Sequence, residues 1–131
     1  PDESRLFERA NALFSEDVLV STATQETRAK HCSPEQLRGQ LRLLKAVWPD
    51  LCERLRAQLL PLLTLRQMLR DVGAPTEPEQ IGITPQRLRK TFWQASCMRR
   101  RYTGLDIIVR AQLLDICLDE IFGESGVWPI T

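Results

Sequence analysis

The chain has 131 residues, 43% of them hydrophobic and 27% charged, with a net charge of +1 at pH 7. That length fits one domain able to bury roughly two thirds of its unfolded surface, so neither a disulfide framework nor a metal is needed for folding. The near-neutral balance gives no general drive toward nucleic acid or an anionic membrane, and no apolar run approaches the about 20 residues of a membrane-spanning helix. Nothing reads as a signal peptide. The chain begins at Pro1 rather than Met, which suggests a piece processed or excised from something longer.

Taken in order, the elements read as helical from end to end. Leu6, Phe7, Ala10, Leu13 and Phe14 give a first amphipathic helix, with a break and restart at Ser15-Glu16-Asp17. Val18 to Lys30 is expected to be helical because no strand alternation competes, although it carries several β-branched residues. Ser33-Pro34-Glu35-Gln36 is a helix start, with Ser as N-cap, Pro in the first turn and Gln three residues after the cap. Leu37, Leu41, Leu44, Trp48, Leu51, Leu55 and Leu59 then form one apolar stripe. Pro49 interrupts it and is expected to end or kink the helix at Trp48, which favours packing within a bundle core over a coiled coil.

Further on, Thr64 is expected to cap Leu65–Val72, and Gly73 fits the position that closes that helix. Thr76-x-x-Glu79 fits a capping box for one short turn. Thr84-Pro85 repeats the cap-then-proline start, and Thr103-x-x-Asp106 caps another helix. A last helix spans Leu113 to Phe122 and stops at Gly123. The expectation is an all-α protein, a multi-helix bundle forming a single helical domain over 1–131, with residues 123–131 as a tail.

Candidate chemistry is sparse. The four cysteines, Cys32, Cys52, Cys97 and Cys117, contain no Cys-x-x-Cys and no accompanying histidine cluster, so they read as free and mostly buried thiols of a reducing cytosol. His31, the single histidine, falls near a helix C-terminus, where positive charge is favoured, and has no second ligand near it in sequence. Trp48, Trp93 and Trp128 read as core or interface anchors. There is no dinucleotide-binding glycine fingerprint, no P-loop and no nucleophile elbow. The basic segment 84–110 and the acidic segment 111–131 are expected to pack near each other and neutralise.

One residue breaks the pattern. On a wheel with Leu88 at zero, Phe92, Ala95 and Tyr102 lie within roughly 40° of it, and Arg99 falls at about 20°, inside the apolar stripe. If the helix runs through 102, Arg99 points inward and needs a partner: a carboxylate, helix-end carbonyls or a substrate phosphate. Arg99 is therefore the one candidate substrate-binding residue, with the structural partner the first expectation. No residue reads as catalytic, cofactor-binding or metal-ligating.

Four segments carry a resemblance: Trp48-Pro49; Leu69-Arg70-Asp71-Val72-Gly73-Ala74-Pro75-Thr76; Ile81-Gly82-Ile83-Thr84; and Arg99-Arg100-Arg101-Tyr102-Thr103-Gly104-Leu105-Asp106. Their order and spacing over residues 33–122 resemble the C-terminal region of glycerol-1-phosphate dehydrogenases, within the iron-containing alcohol dehydrogenase and dehydroquinate synthase-like group. Residues 1–32 match weakly. Gly104 stands where the family usually carries a larger apolar residue.

The resemblance implies the C-terminal helical domain of a two-domain, cytoplasmic enzyme that interconverts dihydroxyacetone phosphate and sn-glycerol 1-phosphate. Such an enzyme uses NAD(P) and a divalent metal, often zinc. Its metal ligands, one Asp and two His, precede the matched region, so this chain would supply neither cofactor nor metal site and would be inactive alone. Its partners would be the parent's N-terminal dinucleotide-binding domain and, in an oligomer, further copies; membrane and nucleic acid are not expected partners. The alternative is a free-standing helical interaction module, using the basic Arg87–Arg101 face for an acidic partner or nucleic acid.

Overall fold

The computed structural model describes residues 3–130, apart from the side chains of Glu3 and Leu6. Its helices are α1 (Glu3–Leu13), α2 (Asp17–Ala29), α3 (Pro34–Gln58), α4 (Leu62–Asp71), α5 (Pro85–Cys97), α6 (Gly104–Arg110) and α7 (Leu114–Phe122), with a 3-10 turn at Pro78–Ile81. No strand occurs among the described residues, so the all-α expectation holds. The chain divides into two compact units, one made of Pro1–Cys32 with Thr84–Thr131 and the other of Ser33–Ile83.

The first unit holds two apolar clusters. Ala10 of α1, Val20 and Ala23 of α2 and Cys97 of α5 form one, with Leu13 and Phe14 packed against it. Two of its members are alanines, small side chains that let helix axes come close. The second is built on one face of α7, where Leu114, Leu118 and Phe122 recur at four-residue spacing and meet Leu88 and Phe92 of α5. Phe122 takes Phe92 edge-on at a centroid distance of 6.1 Å and Trp128 at 6.2 Å. Helix α5 thus contributes to both clusters, through Cys97 at its end and Leu88 and Phe92 earlier.

Residues 123–130, expected as a tail, fold back onto α7. The Trp128 N–H donates to the Ile121 carbonyl at 3.0 Å and the Ile130 N–H to the Phe122 carbonyl at 2.9 Å. Gly126 permits this return, because a Cβ there would run into the backbone carbonyl oxygens of Ile121 and Glu120. Trp93 and Trp128 serve as core anchors. Trp48 does not, being half exposed at 50%.

The second unit is different in kind. Its helix α3 starts as the sequence indicates: the Gln36 N–H donates to Ser33 Oγ at 3.1 Å, and the Ser33 N–H donates to Gln36 Oε1 at 2.8 Å. It does not end at Trp48, however, but continues through Pro49 to Gln58. Proline removes its own N–H and so frees the carbonyl of Lys45. Lys45 and Pro49 are both exposed, so water can take that carbonyl. The expected core role of the leucine stripe is also not met. Neither α3 nor α4 contains a buried residue, and both apolar clusters come wholly from the first unit. A fully buried side chain needs some six to twelve neighbours, and the unit's own α4 and 3-10 turn are too short to supply them along 25 residues of α3.

Helix α4 begins at Leu62 behind Pro61, so Thr64 lies inside it and is not its cap. Its end follows the sequence. Gly73 has φ +70°, its N–H donates to the Arg70 carbonyl at 2.9 Å, and the Ala74 N–H reaches the Leu69 carbonyl at 2.8 Å. This is a Schellman closure. A Cβ at Gly73 would meet nothing within 4 Å. Gly73→Ala is therefore expected to cost only the left-handed backbone penalty, about 1–2 kcal/mol, measurable as a lower urea midpoint for α4 by circular dichroism. The short turn that follows is capped one residue later than expected: Gln80 Oε1, not Glu79, accepts from the Glu77 N–H at 2.9 Å. Glu77 in turn takes the guanidinium of Arg66, with Arg70 3.5 Å away.

Candidate functional site

The part of the molecule richest in polar geometry lies where α2 ends, α5 ends and α6 begins. Lys30 follows the last residue of α2, and its ammonium is 2.5 Å from Asp106 Oδ1 and 2.5 Å from the carbonyl of Ser96 on α5. Both charged side chains are about nine-tenths buried, at 10% and 9% exposure. Asp106 sits in the first turn of α6 and uses its other oxygen to accept from the Thr103 N–H at 2.8 Å and the Thr103 hydroxyl at 3.0 Å. The expected Thr103-x-x-Asp106 cap is thus present, and its acid also carries a long-range ion pair.

Arg110, at the end of α6, donates from Nη2 to the Lys30 carbonyl at 2.5 Å, and its guanidinium lies 4.6 Å from the ring centre of Tyr102. The network satisfies the groups that helix ends leave open. The Lys30 ammonium takes a carbonyl where α5 finishes, Arg110 takes one where α2 finishes, and the Asp106 carboxylate takes an N–H where α6 starts.

Burial alone would push the Asp106 carboxyl up. The Lys30 hydrogen bond, the two bonds from Thr103 and the Lys30 charge outweigh it and hold the carboxyl below its ordinary value. A depressed native value means the pair's stabilisation is complete above the unfolded-state value, about 3.9, and is lost as pH falls through the native one. Acid unfolding followed by circular dichroism is therefore expected to show stability declining below about pH 4. Asp106→Asn should be less stable at neutral pH and flatter over that acid range.

Arg99 does not occupy the position the helical wheel assigns. Helix α5 stops at Cys97, and Arg99 lies beyond it, exposed. The reason is a contact distant in sequence. In a continuing helix the Ser96 carbonyl would accept from the Arg100 N–H; here it accepts from Lys30 instead. Arg100 turns toward α2, with Nη2 3.2 Å from Glu26. Arg101 is exposed. The inward arginine of the sequence argument is therefore replaced by an inward lysine, Lys30, which sequence reasoning missed. A single lysine beside His31 at the end of a helix carries no signal of burial.

Other expected residues fall into place as follows. Arg89 pairs with Asp119 at 2.6 Å, so the basic and acidic segments do meet there. Trp93 donates to Asp115 at 3.2 Å and lies beneath the Arg9 guanidinium at 3.9 Å. His31 is exposed just past α2. All four cysteines are free, but only Cys97 is buried. Among the described residues no group of His, Cys, Asp or Glu is arranged to hold a metal ion. No described helix is long and apolar enough to cross a membrane.

The geometry defines an all-α protein in which a buried polar cluster joins three helix ends. Lys30 and Asp106 bond each other and the backbone at the ends of α5 and α6. No family model, curated protein or solved structure matches the chain.

Proposed function

We propose that this chain is the C-terminal helical region of a glycerol-1-phosphate dehydrogenase. In the parent it would complete the helical domain that walls the active-site cleft and help support an oligomer. The observation that carries the proposal is the state of Ser33–Ile83, the unit that opens the family-like region. It forms two helices, α3 with a capping box and α4 closed at Gly73, yet buries no large apolar side chain, and it leaves Leu43, Trp48, Leu59, Leu63, Met68 and Val72 exposed. Apolar faces of that extent mark surfaces that another protein surface covers. A helical domain lying against a dinucleotide-binding domain and further copies would provide one. The motif residues of the resemblance add support, since Gly73, Thr103 and Asp106 each hold a helix end.

NAD(P), a divalent metal such as zinc and a cytoplasmic setting belong to that reading through the parent. The residues here do not fit either group: there is no metal-holding cluster and no strand–turn–helix for a nicotinamide nucleotide among the described residues. No chemical step is assigned to them. The complete gene product, given a divalent metal and NADH or NADPH, is expected to reduce dihydroxyacetone phosphate, whereas the 131-residue chain alone does not. Absence of turnover with both nicotinamide cofactors would contradict the proposal.

A further inference from the structure

The three adjacent arginines at 99–101 are not equivalent. Arg100 is engaged by Glu26 of α2. Arg99 and Arg101 are exposed, and neither makes an ion pair or hydrogen bond among the described residues. Of the acids that meet this part of the chain, Glu26 pairs with Arg100 and Asp106 with Lys30. The loop therefore presents two uncompensated guanidiniums.

The loop is also tied on both sides. Before it, Cys97 is buried and the Met98 N–H donates back to Ala95. After it, Tyr102 lies under Arg110, and Thr103 is held twice by Asp106. Within it, Arg100 is bonded to α2. Residues two apart have α-carbons no more than about 7 Å from each other, so two arginine side chains can close on one small anion. The planar guanidinium fork matches phosphate oxygens, and a dianion rewards two such donors.

We propose that Arg99 and Arg101 form a binding site for a phosphomonoester dianion, with Arg100 turned away to Glu26 of α2 and outside the site. The choice of a phosphomonoester rests on the dehydrogenase reading; the anion site itself rests on the loop.

The test is an amide NMR titration of the 131-residue chain at low ionic strength with inorganic phosphate, sn-glycerol 1-phosphate and a single-stranded oligonucleotide. Saturable shifts centred on residues 98–103 are expected with both small phosphates. Arg99→Gln and Arg101→Gln should each weaken binding about three- to tenfold, and Arg100→Gln less than about twofold. All three positions are exposed, and unchanged spectral dispersion checks that each variant remains folded. No saturable shift in the loop, equal losses for all three variants, or binding of the oligonucleotide alone would overturn the site. Activity of the parent is a separate readout. Loop binding without turnover keeps the site and removes the enzyme reading; turnover without loop binding keeps the enzyme and removes the site.

Discussion

Asp106→Ala is expected to lower the unfolding free energy of the first unit by about 3–5 kcal/mol, because removing one member of a buried pair strands the other. Lys30 would keep its bond to the Ser96 carbonyl but lose its countercharge. Thr103 would at the same time lose the acceptor for its N–H and its hydroxyl, freeing the start of α6. Natural domains carry only about 5–15 kcal/mol in total, so the variant should be marginal at room temperature. Urea unfolding followed by tryptophan fluorescence would show it, since Trp93 and Trp128 both pack in this unit. Asp106→Asn should lose less, because an amide oxygen can still accept from Thr103.

Leu118→Ala carries the second large effect, expected at about 3–5 kcal/mol from lost transfer energy and the cavity left behind. Leu118 is fully buried, at 0% exposure, in the middle of the α7 face that contacts α5. Collapse onto the vacancy is restrained from two sides. Phe122 is held by Phe92 and Trp128, and the returning strip 123–130 is bonded to the end of α7. Leu118→Met, which nearly conserves volume, should cost less than about 1.5 kcal/mol. Leu63→Ala, by contrast, removes a side chain that is 78% exposed and should change the urea midpoint of the isolated chain little. A loss at Leu63 comparable to that at Leu118 would show that the second unit has a core of its own.

Much of the helix punctuation was legible because it is local chemistry. Ser33 with Gln36, Thr84 with Pro85, Gly73 and Thr103 with Asp106 act within four residues of themselves, so the chain order already contains the interaction. The misreadings arise where something distant or solvent decides. Pro49 looks like a stop, but an exposed helix can hand the freed carbonyl to water. Thr64 looks like a cap, but Pro61 starts the helix earlier. The apolar stripe of α3 looks like a core face; its periodicity shows which side is apolar, not what covers it.

The candidate site was half legible for the same reason. The sequence marks Asp106 as a capping acid and places a buried, paired cation at Arg99. The cation that is buried comes instead from Lys30, 76 residues away in sequence from its acid. By taking the Ser96 carbonyl it accompanies the end of α5 at Cys97, and the wheel argument then fails for every residue after 97. Arg99, Arg100 and Arg101 consequently have separate fates, one engaged by Glu26 and two left in solvent.

Lys30 and Asp106 act as one unit that joins three helix ends. A double-mutant cycle on Lys30→Met and Asp106→Ala, read by urea unfolding, measures this directly. The expected result is a double variant far less damaged than the sum of the two singles, with a coupling of about 2–3 kcal/mol. Losses that add to within about 0.5 kcal/mol would mean that the two residues do not act together, and would contradict the account.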